Sequence, residues 1–247
     1  MNARRTMYTM AAAALVCGVV DVPSAMADTD MTETWTISEG GKLYDHWSTV
    51  LFREMKDVHT HPSYPKAGKQ KGEATWRCKE CHGWDYKGKD GAYGKGSHVT
   101  GIKGLRDVVG VAPGTIVKVL RDKTHGFTEA MIPDKAAMAL AAFVSRGQHD
   151  MDQSIDRASR RANGDPKRGA RFFQTICAIC HGFDGKQLNF GTPEDPEFIG
   201  TVANENPWET LHKIRNGQPG VPMPSLGVLE LEDQVDILSY AQTLPKR

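Results

Sequence analysis

Two five-residue runs hold the side chains best suited to chemistry: Cys78-Lys79-Glu80-Cys81-His82 and Cys177-Ala178-Ile179-Cys180-His181. Both read C-x-x-C-H. Two thiols with two residues between them fall on one side of a single helical turn, and an imidazole follows at once. This spacing is the attachment signature of a c-type haem. The thiols form thioethers with the two vinyl groups, and the adjoining His is placed to ligate the iron. A zinc cage is one alternative, but it needs four Cys or His ligands gathered at one point, and Cys81 and Cys177 lie far apart in the chain. A thioredoxin-type dithiol is the other. Of five cysteines, Cys17 lies near the N-terminus and the other four all belong to the two runs, so none remains for a disulfide. The pattern predicts two covalently bound haem c groups, on Cys78 with Cys81 and on Cys177 with Cys180, and His82 and His181 as iron ligands.

Residues 1–27 have the pattern of a cleaved signal peptide, with Arg4 and Arg5 at the charged end, an apolar run from Met10 to Val20, and Ala25-Met26-Ala27 before Asp28. The apolar run is too short for a bilayer span, which takes roughly 20 residues. Val16 is bulky where a lipoprotein cysteine at Cys17 needs a small neighbour. Export to the periplasm is therefore expected, by the general secretory route. Without the leader the chain carries 29 basic and 29 acidic residues, and nothing in this balance points to nucleic acid.

The elements that must hold the two runs can be read in order. Trp47, Val50, Leu51 and Met55 fall near helical spacing and predict a helix over 38–56. A proline-broken stretch with His59, His61 and Tyr64 follows, then a basic approach to Cys78. Gly83 to Gly104 reads as a loop. Pro113 to Arg121 and Asp134 to Val144 read as helices, and Gly147 ends the second. Residues 148–164 are polar and read as a linker. Asp165-Pro166 supplies a cap and a first helical position, and the helix runs into Cys177. Gly182 to Gly200 reads as a second loop, Pro207 to Arg215 as a helix, and Leu231 to about Leu244 as the last helix, burying Leu231, Val235, Leu238 and Ala241. The halves repeat one another: His82-Gly83-Trp84-Asp85 answers His181-Gly182-Phe183-Asp184, and Met131 answers Met223. Tyr44 lies 34 residues before Cys78 whereas Phe173 lies 4 before Cys177, so the first half carries an insertion of about 30 residues.

Each half resembles a class I cytochrome c, and the pair is similar to two-haem periplasmic cytochromes c and to the cytochrome subunit of flavocytochrome c. The resemblance implies an all-α fold of two tandem domains, 28–147 and 165–247, joined by the polar linker. It implies Met131 and Met223 as the distal iron ligands opposite His82 and His181. Pro222 and Pro224 stiffen the turn around Met223, while Met131 lacks a preceding proline. His125, His59 and His61 compete with Met131 for the first iron, and Met138 reads as core packing. The family's proline carbonyl, which accepts from the proximal imidazole, corresponds to Pro196 in the second half; the matching place in the first half is near Thr100. His46, His98, His149 and His212 read as surface or hydrogen-bonded residues.

Lys66 to Lys103 holds nine basic and four acidic residues, and Asp184 to Asp236 three basic and ten acidic. The reading is an electron carrier between periplasmic redox proteins, with lysines near Cys78 (Lys66, Lys69, Lys71 and Lys79) as a docking rim, and with peripheral contact to a membrane-bound respiratory complex as an option. Alternatives are the electron-accepting subunit of a periplasmic dehydrogenase, and a haem oxidoreductase such as a thiosulfate dehydrogenase or peroxidase. The last requires an iron position open to substrate, and two methionine ligands argue against one.

Overall fold

Helices start where the sequence supplies stops and caps. In the computed structural model, which describes residues 24–246, Pro113 opens α3 (Pro113–Leu120) and Asp165 caps α5 (Pro166–Phe172) by accepting from the Lys167 amide. Asn206 caps α8 (Pro207–Asn216) in the same way through the Glu209 amide. The other helices are α1 (Ser24–Val50), α2 (Cys78–His82), α4 (Asp134–Ala142), α6 (Ala178–His181), α7 (Ile199–Glu205) and α9 (Leu231–Ala241). Among the described residues there is no sheet, only the isolated bridges Gly88–Lys103 and Ile155–Ala162. Most of the expected leader, with Cys17, lies outside the described residues, and the cleavage point before Asp28 falls at the start of α1.

Three elements differ from expectation. The helix predicted over 38–56 ends at Val50, is kinked at His46 (φ −152°, ψ 75°), and is followed by Phe52 at φ 51°. A Phe in the left-handed region cannot continue an α-helix. The loop predicted from Gly182 to Gly200 closes onto an additional helix, α7. The stretch 148–164 is more than a polar tether: Met151 and Ile155 are fully buried, and Arg157 reaches back to Asp85 at 2.8 Å.

The two halves share a plan. In the first, α1 packs along α4, and Gly40 sits where any Cβ would overlap the Ala139 carbonyl oxygen. In the second, α5 packs along α9, and a Cβ on Gly169 would overlap the Asp236 carbonyl oxygen. Four residues beyond each glycine an aromatic ring, Tyr44 or Phe173, is buried. Both crossing regions carry a π-helical turn, Phe143–Gly147 continuing α4 and Phe173–Cys177 continuing α5.

One core runs through both halves. Tyr44, Trp47, Trp84, Tyr86 and Phe143 from the first join Trp208, Leu211, Ile214, Val235 and Leu238 from the second. Burying a large side chain of this kind stabilises by about 2–3 kcal/mol. Met138, read as core, is instead 46% exposed on α4. His212 is the polar hinge of this interface. It is 0% exposed; the Tyr86 hydroxyl donates to its Nδ1 at 2.9 Å and its Nε2–H donates to the Gly41 carbonyl at 2.9 Å. Lys213 completes the junction by donating to Asp45 at 2.8 Å.

Candidate haem sites

The first C-x-x-C-H run is a single helical turn, α2, held from α1. The Tyr44 hydroxyl donates to the Gly83 carbonyl at 2.6 Å, and the Trp47 indole donates to the Trp76 carbonyl at 2.9 Å. Arg77, just before the turn, bonds the Asp45 backbone at 2.8 Å and pairs with its carboxylate. Burial alone would raise the Asp45 carboxyl, but Lys213 and Arg77 outweigh it and hold it below the ordinary carboxylate range. The turn is thus fastened to α1 by ion pairs and hydrogen bonds, with Cys78 packed against the same core.

Backbone geometry repeats at the second run. The residue after each His is a glycine at nearly the same positive φ, Gly83 (φ 79°, ψ 158°) and Gly182 (φ 79°, ψ 157°), and its N–H closes the turn onto Lys79 or Ala178. Only glycine adopts this conformation without strain. Each His carbonyl then accepts an amide farther along, Gly88 at 2.8 Å and Gln187 at 2.9 Å. Asp85 and Asp184 each accept from the amide two residues on.

The imidazoles differ in support. His82 Nδ1–H donates to the Lys103 carbonyl at 2.9 Å, which fixes the ring and leaves Nε2 with its lone pair. Lys103, three residues beyond Thr100, therefore supplies in the first half the contact expected of Pro196 in the second. Burial lowers the His82 pKa to about 4, so the ring is neutral, the form that binds metal. His181 is also lowered by burial, but its Nδ1 is buried without a hydrogen-bond partner. Pro196, expected to accept from it, does not do so. Phe173 and Phe190 instead flank the ring, at 6.3 and 6.0 Å between centroids.

The ring the structure brings beside His82 is that of His125, 6.3 Å away between centroids with the planes 24° apart. Met131 is half-buried against the common core, its amide bonded to the Thr128 carbonyl at 3.1 Å. Met223 is half-buried in the turn between Gly217 and Gly227, its amide bonded to the Val221 carbonyl at 2.8 Å. His61 does not face His82: its Nε2–H donates to the His125 carbonyl at 2.9 Å.

A haem fits these surroundings. Among the described residues no three His, Cys, Asp or Glu side chains gather as a metal cage, and the four cysteines are free thiols. Around the second run Ile179 and Phe183 are 76% and 75% exposed, with Ile176, Leu188 and Phe190 also open and Val221 and Val228 exposed on the Met223 turn. The exposed apolar side chains on and after the second run, Ile176, Ile179, Phe183, Leu188 and Phe190, suit a flat apolar macrocycle.

Residues 164–240 match the family model described as Cytochrome C oxidase, cbb3-type, subunit III. No curated protein matches the chain. The matched stretch opens at the α5 cap, contains the second C-x-x-C-H run and Met223, and closes in α9. It supports a class I cytochrome c domain in the second half, with haem c as its covalently bound cofactor and haem-based electron transfer as its chemistry.

Proposed function

We propose that this chain is a periplasmic electron carrier built of two tandem cytochrome c domains, 28–147 and 165–247, each holding one haem c. The carrying observation is the recurrence, at both C-x-x-C-H runs, of the same turn, the same positive-φ glycine and the same closing hydrogen bonds. Cys78 and Cys81 hold the first group and Cys177 and Cys180 the second, with His82 and His181 ligating the irons and Met223 the distal ligand of the second. Bound haem c supplies a one-electron ferrous–ferric couple at each site. The protein fixes ligand identity, orientation and burial around that couple.

The thiols bear on when attachment takes place. In each thioether the sulfur bonds one vinyl carbon and the thiol hydrogen ends on the other. Burial pushes Cys78 and Cys81 up to about 12 and Cys177 up to about 11, so a closed chain keeps them protonated. Reaction through the thiolate belongs to the chain before it closes. After attachment, the Lys103 carbonyl orients the first proximal imidazole, and Tyr44 and Trp47 hold the turn that carries it. Partners on this reading are other periplasmic redox proteins, met at the charged surface.

The test is intact mass of the exported protein with acid–acetone extraction. Two haems above the leader-free polypeptide mass, neither of them extractable, is the expected result. One haem, or haem released by acid acetone, would overturn the reading.

A further inference from the structure

We infer that His125, and not Met131, is the second axial ligand of the first iron, so that the two domains hold irons of different ligation. This rests on the haem reading of the first motif. An imidazole nitrogen binds a metal ion at about 2.0 Å and lies about 1.1 Å from its ring centre, so two rings facing across one ion sit about 6.2 Å apart. His82 and His125 are 6.3 Å apart, with ring planes 24° from parallel.

Each ring is also oriented for the task by its other nitrogen. His82 Nδ1–H donates to the Lys103 carbonyl at 2.9 Å. His125 Nδ1 meets Asp122 Oδ1 at 3.2 Å, the carboxylate–histidine pairing typical of metal-binding imidazoles. In both rings Nε2 is left as the ligating nitrogen.

The loop carrying His125 is held more firmly than a surface turn requires. Asp122 Oδ1 accepts from the amides of Thr124 at 2.8 Å and His125 at 2.9 Å. The insertion supplies the rest: Ser63 Oγ donates to the Thr124 carbonyl at 2.6 Å, and His61 Nε2–H donates to the His125 carbonyl at 2.9 Å. His61 is held in that tautomer by the Ser63 amide, which donates to its Nδ1 at 3.1 Å. The segment without a counterpart in the second half is therefore the brace of the distal ligand. Met131 is held only within its own turn, its amide bonded to the Thr128 carbonyl and Oγ1, and it packs against the core.

The ligand set also orders the two sites. Methionine opposite histidine raises haem potential, so a first iron held by two imidazoles lies below a second held by His181 and Met223. An electron taken up in the first domain then passes downhill to the second.

The test uses the full haem-loaded chain, its two-haem content checked by mass in the same preparation. In the oxidised wild type the methionine-to-iron charge-transfer band should have the intensity of one site per chain, and the paramagnetic resonance spectrum should hold one bis-imidazole signal. His125→Gly should abolish that signal, let the reduced protein bind about one carbon monoxide per chain, and regain the low-spin signal when imidazole is added. His61→Ala should leave the wild-type spectrum in place but speed carbon monoxide entry at the first iron. Met131→Ala should change none of these. A methionine band of two-site intensity in the wild type overturns the assignment without any variant, as does carbon monoxide binding gained by Met131→Ala and not by His125→Gly. A first motif bare of haem by mass would overturn the haem reading itself, a separate result.

Discussion

Among single residues, His212 carries the clearest energetic cost. Burial pushes its pKa down to about 4, with Lys213 and Arg215 adding to the fall and Asp45 and the Gly41 carbonyl opposing it. The ordinary value is 6.5, so between 4 and 6.5 the unfolded chain binds a proton that the folded chain refuses. Stability therefore rises with pH across that window, is complete above it, and is lost as pH falls through it. One pKa unit corresponds to about 1.4 kcal/mol, so this residue accounts for about 3 kcal/mol at most. His149, pushed to about 3 by burial, and His61, also lowered by burial, add to the same trend. His82 and His181, the iron ligands of the proposed function, are left out of this trend. Urea unfolding from pH 7 to 4 should show a falling midpoint, and His212→Gln, which keeps a donor and an acceptor, should flatten the fall. Matching slopes in the two proteins would remove His212 as the cause. None of this was legible in the sequence, where His212 is one polar residue on an amphipathic helix; its role comes from Tyr86 and Gly41, distant in the chain.

At the scale of elements, the two glycine-lined crossings set how closely each N-terminal helix approaches its C-terminal partner. A methyl group on Gly40 or Gly169 would meet backbone carbonyl oxygen, which cannot swing aside as a side chain can. Gly40→Ala and Gly169→Ala should each destabilise by about 1–3 kcal/mol, the range for overpacking a filled contact. Thermal melts followed by far-ultraviolet circular dichroism would measure it, and an unchanged midpoint in either variant would mean that helix pair is free to part. Both C-x-x-C-H turns, α3, α5, α8 and α9 were legible because C-x-x-C-H, Pro113, Asp165-Pro166, Pro207 and the apolar spacing of Leu231, Val235, Leu238 and Ala241 are local signals. The end of α1 was not, because no glycine or proline stands between Val50 and Met55; the helix runs past its kink at His46 and stops before the left-handed Phe52. α7 was hidden by the glycines and prolines before it, with only Thr201, whose Oγ1 accepts from the Phe198 amide at 3.3 Å, to mark its start. Met131 was read from the match to Met223, and spacing alone cannot reveal that Ser63 and His61 of the insertion bond the backbone of the loop carrying His125.

Across the whole molecule, one hydrophobic core and the bonds of Lys213 and His212 fasten the halves together, and Arg157 ties the stretch between them to Asp85. What varies is the surface. Of the four lysines read as a docking rim, Lys79 is buried and paired with Glu80 at 3.2 Å, so it cannot meet a partner. Lys87 is likewise engaged with Asp150 and Asp152. Lys66, Lys69 and Lys71 are exposed, on the approach to Cys78. A positive patch there would steer an acidic redox protein, raising the encounter rate more than the affinity. Replacing these three lysines by Glu should slow electron exchange with such a partner at low salt while leaving haem content and both potentials nearly unchanged. The wild-type rate should fall with added salt, because the Debye length shrinks from about 10 Å at 0.1 M to about 3 Å at 1 M. Stopped-flow mixing across a salt series measures both slopes. The charge-reversed protein should lose the fall, or invert it as its like charges are screened; a slope equal to that of the wild type would show that these lysines are only solvated, and docking would have to be sought on another face.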